Sequence, residues 1–294
     1  MDTVSKLSRY AVRINSQIRF IGVPKTIDND LIHTDHTPGF GSAAKYIATT
    51  VREITRDSSV YHTESVTIVE IMGRDAGWLT ASSVLARQTK DSNPVLIYLP
   101  ERDFDEEEFC GKIRAGLTRR RNLIVCVSEG IHDKDGKLIC EHGDQVEKDI
   151  FGHPMMSGCG KYLENLIKHR FNIKVRSIEL NVPQRCGASD LSETDIEESA
   201  AAGSFGVTAA LAGETGQMVS FSCSRNPQYQ MKLALEDVNR ICNQTKNVPQ
   251  SWISEDGTDI TEEFTEYARP LILGEMPLQY QDGLPVFLVR KGNQ

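Results

Sequence analysis

Dense runs of Val, Ile and Leu recur along the chain at 66–72, 95–99, 123–128 and 175–180, with helical periodicity between them. Such runs are too continuous for strands with one wet face. They suit strands buried on both sides, as in a parallel sheet covered by helices. The intervening helices are predicted at 75–88, 105–119 and 160–171, the second opening in Asp and Glu and closing in Arg, the sense that the helix dipole favours. An α/β fold with a mainly parallel sheet follows. Ligands of such sheets bind beyond the carboxyl ends of the strands, so polar residues there are the candidate functional groups.

The remaining elements are consistent with this class. Val4, Leu7, Tyr10, Ala11 and Ile14 predict an amphipathic helix over 3–16, and Arg19 to Val23 a short strand that Pro24 ends. A turn cluster over 37–42 offers Ser42 as N-cap for a second helix carrying Ala44, Ile47, Ala48, Val51 and Ile54. Further helices are expected at 190–211 and 231–243, with a strand at 218–222. Beyond Val248, Trp252 and Pro249, Pro270, Pro277 and Pro285 break any regular pattern, which predicts a tail wrapped over the domain.

A chain of 294 residues can form one large or two modest domains. Its net charge of −8 argues against nonspecific binding to nucleic acid or anionic membrane. No apolar run approaches the length of a membrane span, and the N-terminal residues lack a signal peptide's apolar core. Seven scattered cysteines without a CxxC pair read as reduced thiols of a cytoplasmic protein. Cys140 and His142 are close in sequence, but no second ligand pair accompanies them.

Four strand ends carry chemistry. Lys25, Thr26, Asp28 and Asp30 follow the first strand, a cation, a hydroxyl and two carboxylates suited to a phosphate, a metal and a proton acceptor. Met72-Gly73-Arg74 follows the strand at 66–72, where Gly73 permits close backbone approach and Arg74 precedes a helix N-terminus. Ser128-Glu129-Gly130 follows the third, and Val182-Pro183-Gln184-Arg185 lies beyond the strand that contains Arg176. Any one of these could be a polar turn or a solvated rim. Together they would converge on one cleft.

Taken in order, Gly22-Val23-Pro24-Lys25-Thr26-Ile27-Asp28-Asn29-Asp30, Met72-Gly73-Arg74, Ser128-Glu129-Gly130 and Pro183-Gln184-Arg185 resemble the phosphofructokinases over at least residues 1–213. Lys25 stands where ATP-dependent bacterial members typically have Gly. Residues 37–44, Asp75-Ala76-Gly77-Trp78 and Pro183-Gln184-Arg185-Cys186 are likewise similar to the pyrophosphate-using branch. The resemblance implies a two-lobed, three-layer parallel-sheet fold, with residues 1–40 and 184–235 in a donor-binding lobe and 41–183 and 236–294 in a sugar-phosphate lobe.

It also implies phosphoryl transfer from pyrophosphate to the 1-hydroxyl of fructose 6-phosphate, with Mg²⁺, in a cytoplasmic homodimer or homotetramer of glycolysis. Asp28 would be the general base, with Arg74 and Lys25 countering phosphoryl charge. Thr26, Ile27, Asp30, Met72, Gly73, Glu129, Val182, Gln184 and Arg185 would line the substrate site, and Arg176 would reach it from a neighbouring subunit.

Three departures qualify the match. Ser65 replaces an Arg, and Val182 replaces a His, of the ATP-dependent bacterial enzymes. The family's Gly-Gly-x-Asp-Ser/Thr loop, which holds donor phosphates and the metal, would lie just before Met1. The expectation is therefore an N-terminally truncated copy with an incomplete first lobe, uncovered apolar surface and little or no activity. An ATP-dependent member of the branch and a noncatalytic sugar-phosphate-binding remnant are the alternatives.

Overall fold

In the computed structural model, which describes residues 1–142, 158–242 and 244–287, two larger sheets and a two-stranded terminal one share the chain. Residues 143–157 and 288–294, placed by the sequence in the sugar-phosphate lobe, lie outside the described residues. Helix α1 (Asp2–Arg13) leads to strand β1 (Ile21–Gly22), then to the long helix α2 (Phe40–Ser59) and strand β2 (Ser65–Ile71). The short helix α3 (Trp78–Ala81) continues as a 3-10 turn, Ser82–Ala86, before β3 (Leu96–Tyr98), α4 (Glu106–Arg119) and β4 (Asn122–Ser128). Helix α5 (Cys159–Phe171), β5 (Lys174–Glu179), the single turn α6 (Pro183–Cys186) and α7 (Glu193–Leu211) follow. The chain then forms the hairpin β6 (Gln217–Ser224) and β7 (Gln230–Asp237), helix α8 (Glu262–Ala268), and a terminal hairpin of β8 (Tyr280–Gln281) and β9 (Leu284–Pro285).

The larger sheet has the order β3-β4-β2-β5, all parallel. Its side chains alternate between two cores, the period of two that a strand imposes. Val66, Ile68, Val125 and Val127 pack with Phe109, Ile113, Leu163 and Ile167 of α4 and α5. Val69, Ile71, Ile124 and Cys126 pack on the opposite face with Phe40, Ile47 and Val51 of α2 and with Phe264 of the tail. Both faces are covered, so the strands read as unbroken apolar runs. The tail enters this second core through Trp252, Phe264 and Tyr267, whose rings lie 5.4–6.2 Å from Trp78.

The smaller sheet, β1-β6-β7, departs from the sequence reading. β6 runs parallel to β1 but antiparallel to β7, and the helix expected over 231–243 is instead this strand. Met231, Leu235 and Val238 have helical spacing, yet Met231, Leu233 and Leu235 also alternate, and these three pack with Ala202, Val219 and Phe221. Pairing along the whole of β6 outweighs local helical preference. The helix expected over 75–88 is likewise shortened to α3 and its 3-10 extension.

Ser42 is not the N-cap of α2. Gly39 holds that position at φ 102°, and the cap comes from another helix. The buried Asp195 of α7 accepts the Gly39 N–H at 2.8 Å, the Ser42 N–H at 3.1 Å and the Ser42 hydroxyl. A carboxylate against the first turn of a helix satisfies free N–H groups and opposes the helix dipole. Among the described residues no helix is long and apolar enough to cross a membrane. The Asp195→Ala variant is expected to lose about 2–3 kcal/mol of stability, because two amides and a hydroxyl lose a charged acceptor. Urea unfolding followed by far-UV circular dichroism measures this.

Candidate active site

The loop after β1 is shaped by three polar locks. The Thr26 hydroxyl accepts the Asp28 N–H at 3.1 Å and donates to the Asp28 carboxylate at 3.2 Å, a local turn that holds the carboxylate over its own backbone. Thr37 donates to the Thr26 carbonyl at 2.7 Å and closes the loop from its far end. Between Asp28 and Asp30, Asn29 takes a left-handed φ of 55° and is fully buried. Its amide donates to the Tyr267 hydroxyl at 2.8 Å and its carbonyl accepts from Lys246 at 3.1 Å. Asp28 and Asp30 remain partly exposed, and Lys25 is exposed. Burial raises the pKa of Asp30, and the Asp28 carboxylate raises it further.

A second pair of loops faces this one from the ends of β2 and β4. Gly73 has φ 138°, and a Cβ there would sit 2.6 Å from the Ala76 carbonyl. A Cβ on Gly130 would overlap the Arg74 carbonyl at 1.9 Å, so only glycine lets the two loops cross. The Ser128 hydroxyl donates to the Gly73 carbonyl and fastens them together. The Gly73 N–H donates to Glu129 at 3.4 Å, and the Met72 N–H to Gln184 at 3.2 Å. Met72, Glu129 and Gln184 line one small cavity with Glu70, Glu179 and Asn181. Burial raises the pKa of Glu129, Gly73 and Arg74 oppose this, and the charge of Asp28 adds to the rise. Asp28 and Glu129 are therefore within electrostatic reach of each other.

A scan of protein families agrees with this geometry: residues 1–209 match the model described as Phosphofructokinase. The chain belongs to the phosphofructokinase family. It is 39% identical over 293 residues to the pyrophosphate–fructose 6-phosphate 1-phosphotransferase of Xanthomonas campestris pv. campestris (strain B100), covering 99% of this chain and 70% of that one. Its fold matches the crystal structure of a pyrophosphate-dependent phosphofructokinase from Marinobacter aquaeolei with a TM-score of 0.86 and 32% identity, over 100% of this chain and 71% of that one. The corresponding enzyme of Nitrosospira multiformis matches with a TM-score of 0.87 and 33% identity, over 98% and 68%.

Not every phosphofructokinase position named from the sequence joins the cleft. Arg176 pairs in register with Thr67, three residues short of the β2 position that faces Glu179, or about 10 Å back from the carboxyl edge at strand spacing. It is half exposed and meets Asp57 at 3.6 Å, beside Glu53 and Ile178. Val182 and Arg185 are exposed around the α6 turn, whereas Gln184 between them is buried. Ile27 faces inward and packs on the core. Ser65, which replaces an Arg of the ATP-dependent bacterial enzymes, is buried at the start of β2 and donates to Asn122 at 2.8 Å.

Behind the Asp28 loop lies a charged network that the motifs did not point to. Asp35 receives two guanidinium bonds from Arg225, at 2.7 and 2.8 Å. His36 lies 3.0 Å from Asp35 and 2.7 Å from Glu198 of α7, which also accepts from Tyr229 at 2.7 Å. Asp35, His36 and Cys223 could form a metal triad by distance. Arg225 occupies both Asp35 oxygens, however, so the cluster reads as an ion-pair network. Burial opposes charge on His36, but its bonds to Asp35, Cys223 and Glu198 prevail and push its pKa up to about 10. Lys246 is affected the other way: burial lowers its pKa to about 8 against the attraction of Asp35 and Asp30. The one sequence signal for this network is the adjacent Asp35-His36 pair just ahead of the 37–42 turn cluster.

Folded His36 keeps its proton up to about pH 10, while the unfolded imidazole releases it near 6.5. The folded state binds more protons between those values, so this contribution is complete below pH 6.5 and is lost as pH rises through the window. Between pH 6.5 and 8, below the range where Lys246 acts in the opposite sense, His36 alone is expected to lower wild-type stability by at most about 1.4 kcal/mol per pH unit, with Glu70 adding to the decline near pH 7. In the His36→Gln variant this decline is expected to be shallower. Denaturant midpoints measured across the range compare the two.

Proposed function

We propose that the chain transfers a phosphoryl group from pyrophosphate to the 1-hydroxyl of fructose 6-phosphate, forming fructose 1,6-bisphosphate. The observation that carries this reading is the close crossing of the Gly73 and Gly130 turns, which sets the Glu129 carboxylate against the Gly73 N–H within reach of the charge of Asp28. A proton acceptor, a hydroxyl-binding carboxylate and a phosphate-binding backbone turn then serve one sugar. The kinship with pyrophosphate-dependent enzymes over nearly the whole chain supports the choice of donor.

In this reading Asp28 takes the proton of the 1-hydroxyl as its oxygen attacks phosphorus, and phosphate leaves from pyrophosphate. Thr26 holds the Asp28 carboxylate in place. Arg74 and Lys25, both exposed at the cleft rim, counter charge on the moving phosphoryl group and the departing phosphate. Glu129 accepts sugar hydroxyls, and the Gly73 turn, Met72 and Gln184 shape the wall behind them. Arg185, exposed on the α6 turn beside the buried Gln184, would reach the 6-phosphate from outside the cleft wall. Phosphoryl transfer asks for such positioning and charge compensation more than for covalent chemistry.

Burial and the charges of Asp28 and Asp75 all raise the pKa of Asp30. Among the described residues, however, these three carboxylates do not gather closely enough to share one ion, so a magnesium ion would have to arrive on the donor phosphates. Asp30 would help order that Mg²⁺-bound phosphoryl group, the ion's chemistry being to neutralise donor phosphate charge. Arg176, set back from this cleft and half exposed, would serve the site of a neighbouring subunit in a homodimer or homotetramer.

Whatever turnover of fructose 6-phosphate the purified protein shows with Mg²⁺ is expected to draw on pyrophosphate and not on ATP. The Asp28→Asn variant should lose kcat by about 10²–10⁴-fold while binding fructose 6-phosphate within a few-fold of wild type, the pattern of a missing general base. Undiminished turnover by Asp28→Asn would remove the base from this mechanism.

A further inference from the structure

One residue far from the motifs touches both halves of the cleft. Lys246 lies in the irregular segment between the β6–β7 hairpin and the tail. Its backbone N–H donates to the Asp30 carbonyl at 2.7 Å, and its own carbonyl accepts the Trp78 indole N–H at 2.6 Å. Its ammonium donates to the Asn29 side-chain oxygen at 3.1 Å and to the carbonyls of Thr34 and Asp35 at 3.2 and 2.9 Å. It also lies 4.9 Å from the centroid of the Trp78 ring. Two residues on, the Val248 N–H donates to Glu101 at 2.9 Å, and the same Glu101 oxygen accepts the Gly77 N–H at 2.8 Å.

These contacts divide between two loops. Asn29, Asp30, Thr34 and Asp35 belong to the loop that carries Asp28. Gly77 and Trp78 end the turn that carries Gly73 and Arg74. We propose that Lys246 is a positioning residue that locks the Asp28 loop to the Gly73–Arg74 turn, so that base and sugar-phosphate groups are held as one unit.

The chemistry of the contacts suits a lock. An ammonium has three donors, and here all three meet oxygens. Two of those oxygens are backbone carbonyls of the loop, and the third fixes Asn29, the left-handed residue between the two aspartates. Without the ammonium, three inward acceptors lose a charged donor, and the loop has the choice of opening to water. The attachment to the second loop is separate in kind, made by the Trp78 indole and by Glu101. Neither Lys246 nor Glu101 belongs to the set that would touch substrate. What the unit does rests on the phosphotransferase reading above; that the two loops move together does not.

Hydrogen exchange on the full chain, read by mass spectrometry, tests the lock without turnover. In the Lys246→Met variant, exchange is expected to rise on the order of tenfold or more in peptides covering 26–36 and 74–80, with 65–71 and 122–128 unchanged. The milder Trp78→Phe variant removes the indole donor from the second loop alone, and is expected to speed exchange in 26–36 as well. An increase confined to the mutated loop in Trp78→Phe would overturn the proposal. So would no increase in Lys246→Met, or one spread over both sheet strands. Calorimetry with fructose 6-phosphate is run in parallel on wild type: absence of binding there counts against the functional reading and leaves the exchange result to judge the lock.

Discussion

Burial of β2 on both faces is the constraint from which the rest of the arrangement follows. All seven of its residues are buried, between β4 on one side and β5 on the other. In a parallel sheet this sends three strand ends to the same edge, so Met72-Gly73-Arg74, Glu129 and Gln184 emerge side by side. The close crossing at Gly73 and Gly130 is possible only because neither carries a Cβ. Even Glu70 within β2 obeys the same geometry. It accepts the N–H groups of Gly158 and Gly160 at the start of α5, and burial pushes its pKa up to about 7.

The Asp28 loop comes from the other sheet and meets a strand only at its far end, where Phe221 of β6 accepts the Asp35 N–H and donates its own to the Thr34 hydroxyl, both at 2.9 Å. Its position depends on polar contacts that are sheltered from water, where such contacts are strong if satisfied and costly if not. Asn29, Tyr267, Lys246, Asp35, His36 and Arg225 form a nearly continuous chain of them beneath the loop. The chain as a whole is acidic, yet cations are concentrated at this point: Arg225, His36 and Lys246 lie under a loop whose surface displays Asp28 and Asp30. Opposite charge is thereby supplied from below, while the upper face stays open to an anionic substrate countered by Lys25 and Arg74.

Much of this was legible in the sequence. Dense apolar runs identified the parallel sheet, and the short motifs at Thr26–Asp30, Gly73–Arg74 and Ser128–Gly130 marked the residues that converge. Periodicity and motif spacing report local order, and they failed where distant partners decide. Asp195 caps α2 from 153 residues beyond Ser42, which no local pattern at Ser42 could reveal. β7 carries both helical and alternating spacing, and only its pairing with β6 selects the strand. Lys246 sits in a polar stretch, Gln244-Thr245-Lys246-Asn247, with nothing to distinguish it from a solvated surface lysine. Arg176 belongs to the right strand but to its early part, a distinction that register alone makes visible.

A crystal structure with fructose 6-phosphate and Mg²⁺ tests the central claim most directly. The 1-hydroxyl oxygen is expected about 2.6–3.2 Å from the Asp28 carboxylate, the reach of a general base, with Glu129 on the sugar hydroxyls. A sugar seated with its 1-hydroxyl turned away from Asp28, or bound outside the cleft formed by the Gly73 turn, would contradict it.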